Sequence, residues 1–318
     1  MSTGTVNAQP AAAVKWSSRQ WWQTGWITAG ACVLYVLFRF LPTGTNLNHM
    51  DFRVTGKGAL ELCDPSNPQF IPVIAAKSPV KMTAKTALPP LAGEEVRVTL
   101  RMETANGKPI APEDVVVKHG RKLHLLIIDP TLTDYQHVHP EPGKVPGEWS
   151  FAFVPKHGGT YRLFADFTPA ATNRSLYSNA DLVISGETPI GATEPTRMQP
   201  AWTAEQGGYR FSVVSSAQPI RAGRAADLKF TVDRTDGAPV RLEPVMEALA
   251  HLVAFDVARS GFAHLHPMDG ETPRPAEELE PSLAFKVTIP SAGRFVIWAQ
   301  VQLDGREIFV PFWFDVAA

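Results

Sequence analysis

The sequence predicts an all-β protein: two sandwiches in tandem behind one apolar N-terminal helix. Three observations predict it: alternating hydrophobicity through most of the chain, turn signals at short intervals, and a second half that repeats the first. The length, 318 residues, suits two domains that each bury a core of their own.

Taken in order, residues 1–20 read as a cytoplasmic tail. From Trp21 to Leu41 the run WWQTGWITAGACVLYVLFRFL has about the ~20 residues that cross a bilayer, and Trp21, Trp22 and Trp26 stand at one end, where interfacial aromatics belong. A transmembrane helix over 21–41 is the expectation, with Arg39 reaching the head groups and Pro42 ending it. Lys15 and Arg19 favour a cytoplasmic N-terminus. The lipid bilayer is then a partner through residues 21–41, in a bacterial inner membrane crossed once, with everything after about residue 45 in the periplasm or outside the cell. A cleaved signal competes, since AGAC at Ala29 to Cys32 has the small residues of a processing site, but the apolar VLYVLF that follows argues against cleavage. Residues 42–77 read as an ordered connector, with Cys63 as a small buried side chain. Cys32 lies in the apolar run, so it forms no intradomain bridge with Cys63.

The first sandwich is expected over 78–186. VKMTAKT (80–86), EVRVTLRME (95–103), WSFAFVP (149–155) and YRLFADFTP (161–169) alternate as strands do, and Asn106-Gly107 and Gly158-Gly159 are turn signals between them. GETPIGATEPTRMQP lacks periodicity, which sets a linker at 187–204 and the second sandwich at 205–318. LAGEEVRVTLRMETANGKPI is matched by RAGRAADLKFTVDRTDGAPV, LHLLIIDPTLTDYQHVHP by AHLVAFDVARSGFAHLHP, and GGTYRLFADF by SAGRFVIWAQV. About seven strands in each ~110-residue unit is the pattern of an immunoglobulin-like sandwich, and a cupredoxin-like variant would look the same.

Six of the nine histidines fall into two sets, His124, His137, His139 and His251, His264, His266, with the same separations of thirteen and two. Residues two apart on a strand share a face, so His137 and His139 converge, as do His264 and His266. His124 and His251 stand on the preceding strand-like run, and a short connection folds each back beside its pair. Extending the repeat backwards sets His119 against Met246 as candidate fourth ligands. Nitrogen and thioether donors without a carboxylate suit copper or zinc, one ion per sandwich, and argue against calcium or magnesium. Glu141 and Asp269 read as outer groups. Tyr135 and Phe262, two residues before each pair, read as walls. His49 and His157 read as solvated.

Formal net charge is −1 with the charges scattered, so no basic face exists for a nucleic acid. No Ser-His-Asp order, phosphate loop or nucleophile elbow is present, and an enzyme is not expected.

At LHLLIID, DYQHVHPEP and GTYRLFADF, and again at HLVAFD, GFAHLHP and GRFVIWAQVQLDG, the chain resembles bacterial envelope immunoglobulin-type modules of the YtkA-like and FixH-like kind. The resemblance implies a membrane anchor, an exported sandwich and a link to copper, with a membrane metalloenzyme or transporter as partner. It implies the six histidines as ligands, with His119 and Met246 after them. The function expected is envelope copper or zinc binding, storage or transfer. Two rivals stand beside it. One is an adhesion-type scaffold of a membrane complex with structural histidines; the other is a zinc hydrolase, for which three histidines and water suffice.

Overall fold

The computed structural model of the chain describes residues 16–39, 47–53, 68–188, 195, 198–268 and 282–318. Two compact units divide it, Met1–Gly44 and Thr45–Ala318.

The first unit contains helix α1, Ser18–Arg39. It corrects the sequence reading: among the described residues no helix is long and apolar enough to cross a membrane. Gln20, Gln23, Thr24, Gly25, Thr28 and Gly30 are spread along its first half and dilute the apolar run that the tryptophans suggest. The transmembrane span at 21–41, the bilayer as partner and the single-pass inner-membrane localisation therefore fall. Pro42 lies outside the described residues, as do Cys63, Asp269 and most of the tail.

The second unit is all β. Its first sandwich contains β1 (Val80–Thr86), β2 (Val96–Thr104), β3 (Val115–Val116), β4 (Leu123–Ile128), β5 (Tyr135–Val138), β6 (Glu141–Pro142), β7 (Glu148–Phe153), β8 (Gly159–Pro169) and β9 (Leu176–Ile184). Its second contains β10 (Thr203–Gln206), β11 (Tyr209–Ser215), β12 (Ile220–Arg221), β13 (Ala225–Arg234), β14 (His251–Asp256), β15 (Phe262–Leu265), β16 (Ser282–Thr288), β17 (Gly293–Leu303) and β18 (Arg306–Ala317). The outer sheets run β1-β2-β7-β6 and β10-β11-β13-β16. The inner ones run β3-β8-β4-β5, with β9 also on β8, and β12-β18-β17-β14-β15. The turn at Asn106-Gly107 forms as expected and Asp236-Gly237 makes its counterpart in the second sandwich, with Gly107 at φ 81° and Gly237 at φ 77°, where a side chain would be strained.

Outer and inner strands differ in pattern for a physical reason. β2, VRVTLRMET, alternates buried and exposed because one face meets the core and the other water. β4, LHLLII, is buried at every position. Leu123, Leu125 and Ile127 enter the core of their own sandwich. Leu126 and Ile128 point the other way, into a third core shared with Val253, Phe255, Phe262, Val296 and Trp298 of the second sandwich. The two inner sheets thus pack back to back, and the unit is four sheets deep. Connector residues Ile71 and Val73 close this shared core, Ile71 N–H donating to the Phe262 carbonyl at 2.7 Å.

The contact between the sandwiches is reciprocal. Tyr135 lies 5.8 Å from Trp298 between ring centroids, and the equivalent Phe262 lies 5.4 Å from Phe164. Arg162 Nη1 donates to the Arg259 carbonyl at 2.8 Å, and Arg259 Nη1 donates to the Thr160 carbonyl at 2.7 Å. A half-buried charged donor of this kind contributes about 2 kcal/mol. Arg259→Ala is expected to lower urea stability by that amount; a loss under about 0.5 kcal/mol would show that the clasp adds nothing.

Candidate metal centre

Each histidine set is assembled by one inner sheet. β4 pairs with β5, and β14 with β15, so the lone histidine of one strand stands beside the His-x-His pair of the next. His124 shares the parity of Leu126 and Ile128, and His251 that of Val253 and Phe255, so both face the opposite sandwich. In each set, one nitrogen from every ring lies within 4.8 Å of the others.

The sequence expects each set to be internal to its own sandwich. They meet instead. His137 lies 5.3 Å from His264 and 5.8 Å from His251, and His124 lies 5.8 Å from His264, between ring centroids. The six rings form one cluster between the inner sheets. Within a β-sandwich the histidines would displace apolar core; between two sandwiches they fill the rim of a seam. Sequence periodicity reads parity on a strand and cannot tell which body covers that face.

In the first set the surroundings fix the tautomers of His124 and His137. His124 Nε2–H donates to the Lys118 carbonyl at 3.0 Å, which leaves the Nδ1 lone pair facing inward. His137 Nδ1–H donates to Gln300 Oε1 at 3.0 Å, which leaves the Nε2 lone pair. His124 Nδ1 then stands 3.3 Å from both His137 Nε2 and His139 Nε2. Ligands bonded tetrahedrally at about 2.0–2.1 Å lie about 3.3–3.4 Å apart, so this spacing is that of donors around one ion. The second set has the complementary sign. Both nitrogens of His251, with Nε2 of His264 and Nε2 of His266, are buried without a hydrogen-bond partner. Buried polar atoms without partners are uncommon, and an ion bonded to one nitrogen of each ring would satisfy three of these four.

Gln300 and Asp166 are the residues the sequence reading missed. His264 Nδ1–H donates to Asp166 Oδ2 at 3.3 Å, as His137 does to Gln300, and each bond crosses from one sandwich to the other. Their positions are equivalent, for Asp166 pairs with His124 across β8 and β4, and Gln300 with His251 across β17 and β14. A signal was present: each is the polar residue in an otherwise apolar strand, FADF or WAQV. Such partners orient a metal-binding imidazole and raise its basicity.

Burial dominates the electrostatics. It holds His137, His251, His264 and His266 well below the ordinary imidazole range, lowers His124, and takes His139 down to about 3. All six are neutral at pH 7, the form that ligates. Burial also pushes the Asp166 carboxyl up to about 6, against the pull of His124 and His119.

His119 and Met246 occupy matching turns, 118–121 and 245–248, each closed by a bridge pair. His119 and Gly120 have φ 49° and 72°, Met246 and Glu247 φ 51° and 64°, the left-handed pair of a type I′ turn. Neither simply completes its own set. His119 stacks on His266 of the other sandwich, centroids 4.0 Å apart, while lying 6.2 Å from His124. Met246 lines a cavity of about 360 Å³ together with His137, His139 and Gln300. Tyr135 and Phe262 are buried in the shared core beside the cluster. Glu141 is exposed, 3.8 Å from Arg121; His49 is exposed; His157 is half-buried, 3.3 Å from Thr133 Oγ1.

One family profile matches the chain, over residues 77–179 and 204–318, and is described as a domain of unknown function. No curated protein matches. Among solved structures, the Escherichia coli adhesin FdeC is 17% identical, covering 75% of this chain and 64% of its own, at a TM-score of 0.23. The chain thus spans less than two thirds of that adhesin's length. The fibronectin(III)-like modules of Clostridium thermocellum CbhA are 8% identical, covering 74% of this chain and 94% of theirs, at a TM-score of 0.19.

Proposed function

The chain belongs to this family, DUF8832, and we propose that its part here is to bind transition-metal ions, copper or zinc, in a histidine centre held between its two sandwiches. The observation that carries the reading is the convergence of His137 Nε2 and His139 Nε2 on His124 Nδ1, each at 3.3 Å, with the other nitrogens of His124 and His137 already engaged. The lone pairs of His124 Nδ1 and His137 Nε2 at that distance repel unless a cation or a proton lies between them, and the rings are too deeply buried to hold an extra proton readily. Six imidazoles and no ligating carboxylate favour copper or zinc over calcium or magnesium. Binding, storage or transfer is the role such a centre supports, with a metal-using protein as its partner. The rival scaffold reading leaves the orphaned nitrogens of His251 without a purpose.

Anaerobic titration of the full chain with Cu(I) and Zn(II) together, followed by elemental analysis, is expected to give two ions per chain in total. His137→Ala is expected to lower the capacity to one. No uptake by the wild type, or two ions retained by the variant, overturns the reading.

A further inference from the structure

The two halves of the centre are equivalent in fold but not in charge. At the position where the second sandwich offers Gln300 to His137, the first offers Asp166 to His264. Asp166 keeps only 20% of its side-chain surface, and His264 only 4%. Met246 lines a cavity with His137, His139 and Gln300; His119, in the matching turn of the first sandwich, lines the same cavity, but its ring is stacked on His266. One set therefore has a neutral amide and a thioether at hand, and the other a carboxylate and a further imidazole. Glu247 and Glu307 line the Met246 cavity too, but both are exposed, as is Arg121 on the same rim.

Resting on the reading of this cluster as a metal centre, we propose that its two sites are selective for different ions: His124, His137 and His139, with Gln300 and Met246, take a soft univalent ion of the Cu(I) class, while His251, His264 and His266, with Asp166, take a divalent ion of the Zn(II) class. Charge balance decides it. Neutral imidazoles contribute no charge, so a divalent ion beside Asp166 leaves one net positive charge in the seam. A divalent ion beside Gln300 would leave two, with only water-screened carboxylates to offset them. A univalent ion there restores one, and a thioether favours the softer metal. Selectivity is thus set across the seam: the sandwich that supplies the three histidines does not supply the residue that chooses the ion.

The test uses the full chain, titrated anaerobically with Cu(I) against a chromophoric chelator and separately with Zn(II). The wild type is expected to hold one Cu(I) tightly and one Zn(II) tightly, and to load both together. Loss of a residue behind a metal-binding histidine costs roughly 10–100-fold in affinity. Asp166→Asn is expected to weaken Zn(II) by that factor and leave Cu(I) unchanged. Met246→Leu, which keeps volume and apolarity, is expected to weaken Cu(I) about 10-fold and leave Zn(II) unchanged. Gln300→Glu provides the gain of function, a second tight Zn(II) in place of selective Cu(I). If both single losses shift the two ions equally, or shift neither, the division of labour is overturned while the metal centre stands. If the wild type takes up neither ion, the metal reading falls and this inference with it.

Discussion

Metal-free protein is expected to unfold between about pH 6 and 4.5, far above the range in which most sandwiches denature. Six histidines are neutral in the fold with their pKa values depressed by burial, and each takes up a proton in the unfolded chain near the ordinary value of about 6.5. A depressed folded pKa means that stability is present above the unfolded value and is lost as pH falls. Each such group removes about 1.4 kcal/mol per pH unit below 6.5. Asp166 works in the opposite sense: raised to about 6, it is protonated in the fold and ionised in the unfolded chain between 6 and its ordinary value, and offsets one histidine. Five net protons give about 7 kcal/mol per unit, against a total stability of about 5–15 kcal/mol. Circular dichroism from pH 7.5 to 4 checks this. A fold intact at pH 4.5 without metal would refute the neutral cluster, and saturating Zn(II) is expected to move the midpoint lower because it binds only the unprotonated rings.

His251→Leu is expected to strengthen the metal-free protein and cost it one ion. His251 is fully buried and neither ring nitrogen has a partner. An unsatisfied buried donor or acceptor costs about 1–3 kcal/mol, and leucine fills much the same space without one. The variant is expected to gain about 2–4 kcal/mol and several degrees in Tm, to unfold at lower pH, and to bind one ion instead of two. A merely structural histidine gives the reverse result: lower stability and unchanged metal content. Residues retained at a cost to the fold are ordinarily retained for function.

Much of the sandwich architecture was legible in the sequence because outer strands such as VRVTLRMET carry a half-wet alternation. The grouping of His124, His137 and His139 was legible because strand parity and a short connection suffice to bring them together. What covers them was not. β4 and β14 are buried on both faces, and such runs look the same whichever body lies on the second face. For that reason the sets seemed separate, and Asp166 and Gln300 seemed ordinary strand residues. The helix misled for another reason: three tryptophans resemble an interfacial belt, but the amides, threonines and glycines between them carry too little hydrophobicity.

The crossed bonds from His137 to Gln300 and from His264 to Asp166 make the contact between the sandwiches isologous, the symmetry of a homodimer built from one repeated module. A chain with a single module could assemble such a centre only by meeting a second copy, and its occupancy would then rise and fall with protein concentration. Joining the modules in one polypeptide removes that dependence, because each half is permanently present at the effective concentration of a tethered partner. It also breaks an obligation. In a symmetric pair, any substitution at the position of Asp166 alters both halves at once; in a tandem chain each half can drift alone, and Asp166 standing where the other half has Gln300 is such a difference.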